Sequence, residues 1–345
     1  MEEVRVPVSR EYIVKRLILL VFVVLGVLFI TFIITRLIPA RPELLWAGPH
    51  ATIEQIEKAR KQLHLDKPVY VQFFLYLQDF IMGNWGISWR TKSPVFTDVL
   101  STLTATLELV IVAFFIAFIV GVLTGVIAAL KKYSWIDDFI RIVTVIGASI
   151  PVFWLALIVQ LVFGNWLGIL PSAKRVDEWI VIVTGFKPIT GFYLIDSIIQ
   201  GNLAVFVDAL KRIILPALVL STYPFCLSAR MTRAVMIEVF SEQHVKSLIA
   251  WGLPERTILF KYSLKNTIVP VIASLGLSFG YTIVGAFMVE LVFVWPGIGF
   301  YAAMSLLSFD YPAVIGCVIT VAIFYCIINT VVDLIHSIID PRVRL

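Results

Sequence analysis

Leu109–Leu130 reads LVIVAFFIAFIVGVLTGVIAAL and contains no charged side chain. A helix needs about 20 mainly apolar residues to cross the hydrocarbon core of a bilayer, so this stretch predicts a transmembrane helix. The whole chain has the same character, since 60% of its 345 residues are hydrophobic and 15% are charged. Soluble domains average about 45–50% apolar and about 25% charged residues. With a mean hydropathy of +0.96, the sequence predicts an integral membrane protein.

Five further apolar stretches are long enough to cross a bilayer, which gives six predicted spans. They are Leu17–Thr35, Ile142–Leu167, Ile213–Ala229, Thr267–Val289 and Ala313–Val332. An even number of spans places both termini on one side, and lysine and arginine mark that side as cytoplasmic. The basic flanks are Arg10 with Lys15 and Arg16, Lys131 with Lys132, the stretch Arg230–Lys265, and Arg342 with Arg344. We therefore predict an all-α, multi-pass protein with cytoplasmic N and C termini.

These spans divide the chain into three predicted segments. Residues 1–38 form a cytoplasmic tail and the first span, and residues 39–102 form an external helical segment. Residues 103–345 form the core, with an external insert at 171–212 and a cytoplasmic loop at 241–264.

The sequence lacks the motifs of several enzyme classes. No GxxxxGK[ST] run is present to hold ATP phosphates, and neither HExxH nor GxSxG occurs. The three cysteines lie singly in apolar runs and the four histidines are scattered, so no metal site is predicted. The chain is therefore expected to be neither a hydrolase nor any other enzyme.

Both external segments contain local structural signals. Thr52 and Gln55 have capping-box spacing, and a second helix is predicted over Tyr70–Ile81 after Pro68. The aromatic residues of this region either pack against the outer ends of the spans, which we favour, or contact a solute. They are Phe73, Phe74, Tyr76, Phe80, Trp85 and Trp89. The second insert contains the β-prone run Trp179–Val183 and is long enough to form a small cap.

The spans contain few ionisable residues but several helix-irregular ones. Glu108, Glu290 and Asp333 lie near span ends, where loop contacts or snorkelling satisfy them, and this weakens an ion-coupled mechanism. Proline and glycine inside the spans suit a cavity between helices or, equally, ordinary close packing. The positions are Ser149–Pro151, Pro216, Pro224, Gly276, Gly280 and Gly285, with a GxxxG pair at Gly121 and Gly125. We select Ser149, Pro151, Pro224, Gly280 and Glu290 as candidates for the pathway or its gate.

The polar loop at 241–264 predicts a short helix that ends at a glycine. Ser241 is a candidate N-cap, and Gly252 would end the helix in the left-handed conformation. Pro254 at a first helical position would restart a helix. The tip of this element presents apolar residues suited to a partner's groove, with a membrane-surface helix as the alternative. Its apolar residues are Val245, Leu248, Ile249 and Trp251.

Motifs along almost the entire chain resemble one known family, the permease subunits of binding-protein-dependent ABC importers. The resemblance is to the B-type subunit of dipeptide and oligopeptide systems. The motifs are Tyr12–Leu17, Leu65–Pro68 with Val71 and Gln72, Thr104–Leu109, Ser149–Leu155, Ile214–Leu218, Arg230–Arg233, Val294–Gly299 and Asp340–Arg344.

The resemblance implies a type I importer permease fold in the cytoplasmic membrane. The implied partners are a homologous second permease, two cytoplasmic ATPase subunits that bind ATP and Mg, and an extracytoplasmic solute-binding protein, while this chain itself binds no cofactor. Nucleic acid is not an expected partner. Peptides are the implied solutes, although relatives also carry nickel chelates, glutathione or oligosaccharides.

The loop at 241–264 then corresponds to the helix that docks on an ATPase subunit. Lys246, Ser247 and Leu248 stand where the general motif has Glu-Ala-Ala, and Gly252 matches its glycine. The predicted coupling residues are Lys246, Ser247, Leu248, Ile249, Trp251, Gly252 and Leu253. In the external cap, Lys174 and Arg175 are candidates for docking the binding protein. The competing class is an ion-coupled secondary transporter that acts alone, disfavoured by the scarcity of carboxylates within the spans.

Overall fold

The structure is a computed structural model that describes residues 10–34, 41–48 and 50–339. The regular secondary structure of the described part consists of helices and one isolated bridge between Ile87 and Pro94. The helices before the first long core helix are α1 (Arg10–Phe32), α2 (Pro42–Ala47), α3 (Ile53–Gln62) and α4 (Val69–Ile81). Next come α5 (Val95–Leu130), α6 (Trp135–Ser149), α7 (Val152–Val159, continuing as a π-helix over Gln160–Trp166), α8 (Glu178–Thr184), α9 (Tyr193–Ile199) and α10 (Leu203–Ser241). The last are α11 (Gln243–Ala250), α12 (Glu255–Thr257, continuing as a π-helix over Ile258–Ser263), α13 (Leu264–Phe293), α14 (Ile298–Leu307) and α15 (Tyr311–Ile339).

Within the described residues, four helical stretches are long and apolar enough to cross a membrane. They are Val14–Phe32, Val95–Leu130, Glu255–Phe293 and Tyr311–Val332. The pair formed by α6 and α7 with its π-helix would add a fifth span, although it is bent by 105°. The multi-pass helical membrane fold is thus confirmed. The predicted span Ile213–Ala229 lies within α10 but is not one of the four, so the count of six and the orientation remain predictions.

Several predicted features fall outside the described residues. Thr35 at the end of the first predicted span lies there, as do Arg342 and Arg344 of the basic C-terminal flank. The side chain of Asp333 is also outside the described part.

The predicted span Ile142–Leu167 is broken at its predicted irregularity, Ser149–Pro151, and whether the bent pair forms one span remains a prediction. The α-helix ends at Ser149, Ile150 is extended with ψ of 129°, and a new helix begins after Pro151. The ring of a proline clashes with an α-helical conformation of the residue before it, which explains the break at Ile150. The helices α6 and α7 therefore meet at a bend instead of forming one straight helix.

The chain forms two compact units. Among the described residues, the first contains Leu107–Trp295 with 331–339, and the second contains those from 10 to 106 with Pro296–Thr330. The sequence-based division into segments 1–38, 39–102 and 103–345 follows the order of the chain, and it remains a prediction.

In the first unit, small residues let α5 approach α10 closely. A Cβ atom on Gly121 would lie 2.6 Å from Cβ of Ser228, and one on Gly125 would lie 2.5 Å from Cβ of Thr232. Such short distances exclude any larger side chain without separating the helices. The GxxxG pair therefore serves close helix packing.

In the second unit, the two helices predicted between residues 39 and 102 are confirmed, while their external location remains a prediction. Thr52 and Gln55 form the capping box, and α4 begins directly after Pro68. Phe73 meets Phe32 of α1 edge to face at 5.3 Å between ring centroids, and Tyr76 packs with the buried cluster of α1 and α15. Phe73 and Tyr76 thus pack against membrane helices, as the favoured interpretation predicted, whereas Phe74 is 67% exposed.

The β-prone run Trp179–Val183 is a helix, α8, and not a strand. The carboxylate of Asp177 accepts the Trp179 N–H at 2.9 Å, and Gly185 ends the helix with φ of +63°. Ile180 and Val181 pack on the cluster built around Val176, Phe186, Val205 and Ala209. Good caps and a buried helical face outweigh the modest β-propensity of Val and Ile.

Candidate functional site

The loop between α10 and α13 contains the predicted coupling residues and forms a compact helical insert, Gln243–Ser263. Its first helix, α11, ends where Gly252 adopts a left-handed φ of +74°. The N–H groups of Gly252 and Leu253 donate to the carbonyls of Ile249 and Leu248, which satisfies the end of the helix. The predicted termination at Gly252 is confirmed, and Pro254 lies immediately before α12.

The predicted N-cap at Ser241 is wrong. Ser241 is still part of α10, and its hydroxyl donates to the carbonyl of Glu238 at 2.6 Å. Glu242 precedes α11 without a side-chain capping bond. Serine near a helix end readily bonds back to the preceding turn, and this competes with capping the next helix.

The two faces of α11 have different surroundings. Val245 is fully buried with Val239 and Ile258, and Leu248 and Leu253 pack against the same cluster. These residues fix the insert to the rest of its own chain. Leu248 and Leu253, although predicted as coupling contacts, therefore face inward.

The opposite face of the insert is exposed. Trp251 is 77% exposed and Ile249 is 57% exposed, and Lys246, Ser247 and Gly252 are also on the surface. A large exposed aromatic beside an aliphatic residue is typical of a surface that another molecule covers. Phe260 is exposed as well; it is not among the predicted coupling residues, and its only signal in the sequence is an aromatic ring in a polar loop.

The gate candidates lie in three different settings within the first unit. Ser149 and Pro151 are exposed at the break between α6 and α7, where the Ser149 hydroxyl donates to the Val145 carbonyl. Pro224 and Gly280 are buried in α10 and α13, and the rings of their neighbours Tyr223 and Tyr281 contact each other at a tilt of 42° with centroids 4.7 Å apart. Pro224 and Gly280 therefore each adjoin a tyrosine of the pair that joins α10 to α13.

Glu290 lies further along α13 and is fully buried. Its backbone carbonyl accepts the Trp295 N–H at 2.9 Å, just beyond the left-handed Val294 that ends the helix. Gln160 of α7 lies near this end, since its amide donates to the carbonyls of Val292 and Ser172 at 2.8 and 2.9 Å. The base of the cap is thereby held to α7 and α13.

Arg175 is not the surface charge that the docking hypothesis assumed. It is 5% exposed, and its guanidinium donates to the carboxylate of Glu108 and to the carbonyl of Gly191. Glu108 also accepts the Leu194 N–H at 2.8 Å, and the guanidinium stacks 3.9 Å from the Tyr193 ring centroid. Arg175 therefore holds the cap together, and Glu108 is satisfied by loop contacts as predicted.

Lys174, by contrast, is exposed. Its ammonium pairs with Glu178 at 2.6 Å on the surface of the cap. Its backbone N–H donates to the Phe293 carbonyl at 3.0 Å, which fixes the position of the residue. Of the two predicted docking residues, only Lys174 presents its charge to solvent.

Asp196 organises the tip of the cap. Burial alone would raise the pKa of its carboxyl group. Hydrogen bonds from the Thr190 hydroxyl and from the N–H groups of Ile189, Thr190 and Gly191 outweigh burial and lower the pKa below its usual value. No group of three or more His, Cys, Asp or Glu side chains in the described part of the chain could hold a metal ion.

Comparison with known proteins agrees with this architecture. Residues 121–345 match the family of binding-protein-dependent transport system inner membrane components, and residues 10–111 match the N-terminal family of the same membrane components. A probable D,D-dipeptide transport system permease protein of Escherichia coli is 42% identical over 94% of both chains. A dipeptide transport system permease protein of Alkalihalophilus pseudofirmus is 37% identical over 96% of this chain and 99% of the relative.

A glutathione transport system permease protein of Escherichia coli is 32% identical over 97% of this chain and 99% of the relative. The similarity therefore spans both units and the insert. The chain belongs to the family of binding-protein-dependent transport system inner membrane components, and it is a multi-pass permease subunit of such an importer.

Proposed function

We propose that this permease forms half of a translocation pathway and that its insert docks in a groove of a cytoplasmic ATPase subunit. A homologous second permease supplies the other half, and a solute-binding protein delivers the solute on the opposite side. ATP and Mg are bound by the two ATPase subunits, and this chain binds neither. The observation that carries the proposal is the exposed pair Ile249 and Trp251 on an insert whose other face is packed inside the permease.

The insert is suited to transmit movement because α11 and α13 are joined by a short packed segment. Ile258 lies in the π-helix that leads into α13 and belongs to the same buried cluster as Val245. A push on α11 therefore acts on the start of α13 through packed side chains. We propose that closure of the ATPase pair moves the insert and that α13 follows, which alternates access to the pathway.

Small peptides are the proposed solutes. Relatives of this chain named as D,D-dipeptide, dipeptide and glutathione permeases support this class. Uptake of labelled di- and tripeptides by vesicles that contain the complete importer tests it. Uptake of an oligosaccharide or a nickel chelate without any peptide uptake would contradict it.

Truncation of Trp251 tests the docking site. A buried aromatic hot spot contributes about 2 kcal/mol or more to association, which corresponds to roughly 30-fold weaker ATPase binding for Trp251→Ala. Gly252→Val keeps the apolar contacts but disfavours the left-handed conformation at φ of +74°, so it would misorient the same face. Both variants are expected to insert normally into membranes and to lose coupled uptake.

Trp179→Ala is the matched control, since Trp179 is a tryptophan of similar exposure, 71%, in the cap. It should retain the ATPase subunits. Full retention and normal uptake in both Trp251→Ala and Gly252→Val would assign the insert to the membrane surface instead.

A further inference from the structure

Helix α4 is apolar but too short to cross a membrane. It has 13 residues, so at 1.5 Å per residue it is about 20 Å long, against about 30 Å for the hydrocarbon core of a bilayer. Asp79 is its only charged residue. Apolar helices of this length are either buried in a protein core or lie at a membrane interface. The surroundings of the two faces of α4 decide between these locations.

One face of α4 packs against the ends of two membrane spans. Tyr76 and Phe80 pack on the cluster that contains Leu28 of α1 and Ile315 of α15. Leu28 lies in the last two turns of α1, and Ile315 lies in the first two turns of α15. The α1 span has 19 residues, about 28 Å, so it nearly fills the hydrocarbon core and its end lies at the edge of that core. The packing therefore holds α4 at this edge.

The opposite face of α4 is exposed and apolar. Tyr70, Phe74, Ile81 and Met82 are between 67% and 82% exposed. The first three are spaced by four and then seven residues, so they form one stripe along the helix. Helix α3 of the same unit instead exposes charged side chains, which are Glu54, Glu57, Lys58 and Arg60. A contiguous apolar face of this kind is typical of a surface that another apolar phase covers.

The exposed face of α4 is continuous with the exposed surface of the α1 span. Phe29, near the end of this span, is half exposed. Its ring meets Phe73 edge to face at 5.6 Å between ring centroids, and the Phe73 ring lies 6.4 Å from that of Phe74. Three neighbouring rings thus connect a membrane span to the stripe on α4. Aromatic residues are enriched where the hydrocarbon core meets the headgroups, so the lipid that surrounds α1 is the cover that suits α4.

We infer that α4 is an interfacial helix whose exposed face is embedded in the lipids around the C-terminal end of α1. The embedded side chains are Tyr70, Phe74, Ile81 and Met82. The partner is thus a lipid surface, with the apolar face about 5–10 Å deep in the boundary between headgroups and acyl chains. Because α4 also packs on α15, it fixes the ends of two spans of the second unit to one leaflet. The inference requires a bilayer but no ATPase subunit, so it is independent of the proposed coupling.

Spin-label accessibility tests the inference at single positions. The complete importer is reconstituted without binding protein in nanodiscs of phosphatidylethanolamine and phosphatidylglycerol, with the three native cysteines replaced by alanine. A label at Phe74→Cys should collide more with oxygen, which concentrates in lipid, than with a water-soluble nickel chelate. The ratio should correspond to a depth of about 5–10 Å. Glu57→Cys on α3 is the matched control and should show the opposite preference.

Photolabelling tests the unmodified importer and so does not depend on how any variant folds. The nanodiscs contain a phospholipid with a diazirine in the acyl chain next to the glycerol. After illumination, mass spectrometry should find the lipid attached to α4 and not to α3.

Two results would overturn the inference. Equal access of the nickel chelate to Phe74→Cys and Glu57→Cys would place the exposed face in water. Exclusion of both oxygen and nickel from Phe74→Cys, without lipid label on α4, would show that another protein covers the face. Trp251→Ala should leave both measurements unchanged, so failure of the coupling proposal and failure of this one are distinguishable.

Discussion

Replacing Arg175 by methionine removes one half of a buried ion pair and leaves the Glu108 carboxylate without its main partner. Both side chains are almost fully buried, at 6% and 4% exposure. The guanidinium also donates to the Gly191 carbonyl at 2.6 Å, and the carboxylate accepts the Leu194 N–H. Loss of either side chain therefore disturbs the cap at several points.

The expected cost follows from these contacts. Removing one partner of a buried ion pair costs about 3–5 kcal/mol, because the other charge stays buried. Two single replacements would add to about 6–10 kcal/mol. In the double variant Glu108→Met/Arg175→Met no charge remains, and the loss comes from the Gly191 carbonyl and the Leu194 N–H at about 1–3 kcal/mol each. The double variant should thus cost about 2–6 kcal/mol, well below the sum.

The assay is reversible unfolding in mixed micelles, followed by tryptophan fluorescence, for both single variants and the double variant. Lys174→Met is the matched control, because the neighbouring lysine pairs with Glu178 on the surface and such pairs contribute at most about 1 kcal/mol. If Arg175→Met costs no more than Lys174→Met, the guanidinium is not buried as described. Additive costs in the double variant would show that the two charges do not interact.

Three further predictions concern single positions. Asp196→Asn should lower the free energy of unfolding by a constant amount above about pH 5, and the difference from the native chain should shrink below about pH 4. The reason is that the folded state lowers the pKa of Asp196, so this carboxyl group stabilises the fold only while it is ionised. Thermal unfolding at a series of pH values measures the difference. Gly125→Ala should destabilise by about 1–3 kcal/mol through overpacking, whereas Gly26→Ala, with open space around it, should be neutral or stabilising in the same assay. Gln160→Leu leaves the Val292 carbonyl without its side-chain donor and should increase protease cleavage of the cap relative to the native chain.

Local signals in the sequence predicted local structure well. The capping box at Thr52, the helix start after Pro68 and the helix end at Gly252 all follow from backbone chemistry within a few residues. The break at Pro151 has an equally local signal, the irregularity Ser149–Pro151 within the apolar run Ile142–Leu167. The sequence marks the place of the break, but it does not predict the bend of 105° between the two helices.

Non-local contacts were beyond the sequence. Lys174 and Arg175 are adjacent and carry the same charge, yet one is exposed and the other is buried. The difference arises because Glu108, 67 residues earlier in the chain, lies beside Arg175. Such a partner leaves no trace in the spacing or composition around either residue.

In the proposed coupling role, the short helix α11 uses one face for folding and the other for recognition of a partner. Its buried face, with Val245 and Leu248 against Ile258, attaches it to the permease, while Ile249 and Trp251 lie outside this cluster. A replacement on the buried face lowers stability and coupling together, because the helix loses its support before any partner is involved. The Trp251 side chain lies outside the packed core of the permease, so its replacement should not lower the stability of the isolated chain. Any loss of coupling in this variant therefore comes from a weaker contact with the partner. Trp251 is therefore the residue at which loss of coupling identifies docking, whereas the same loss at Leu248 would not.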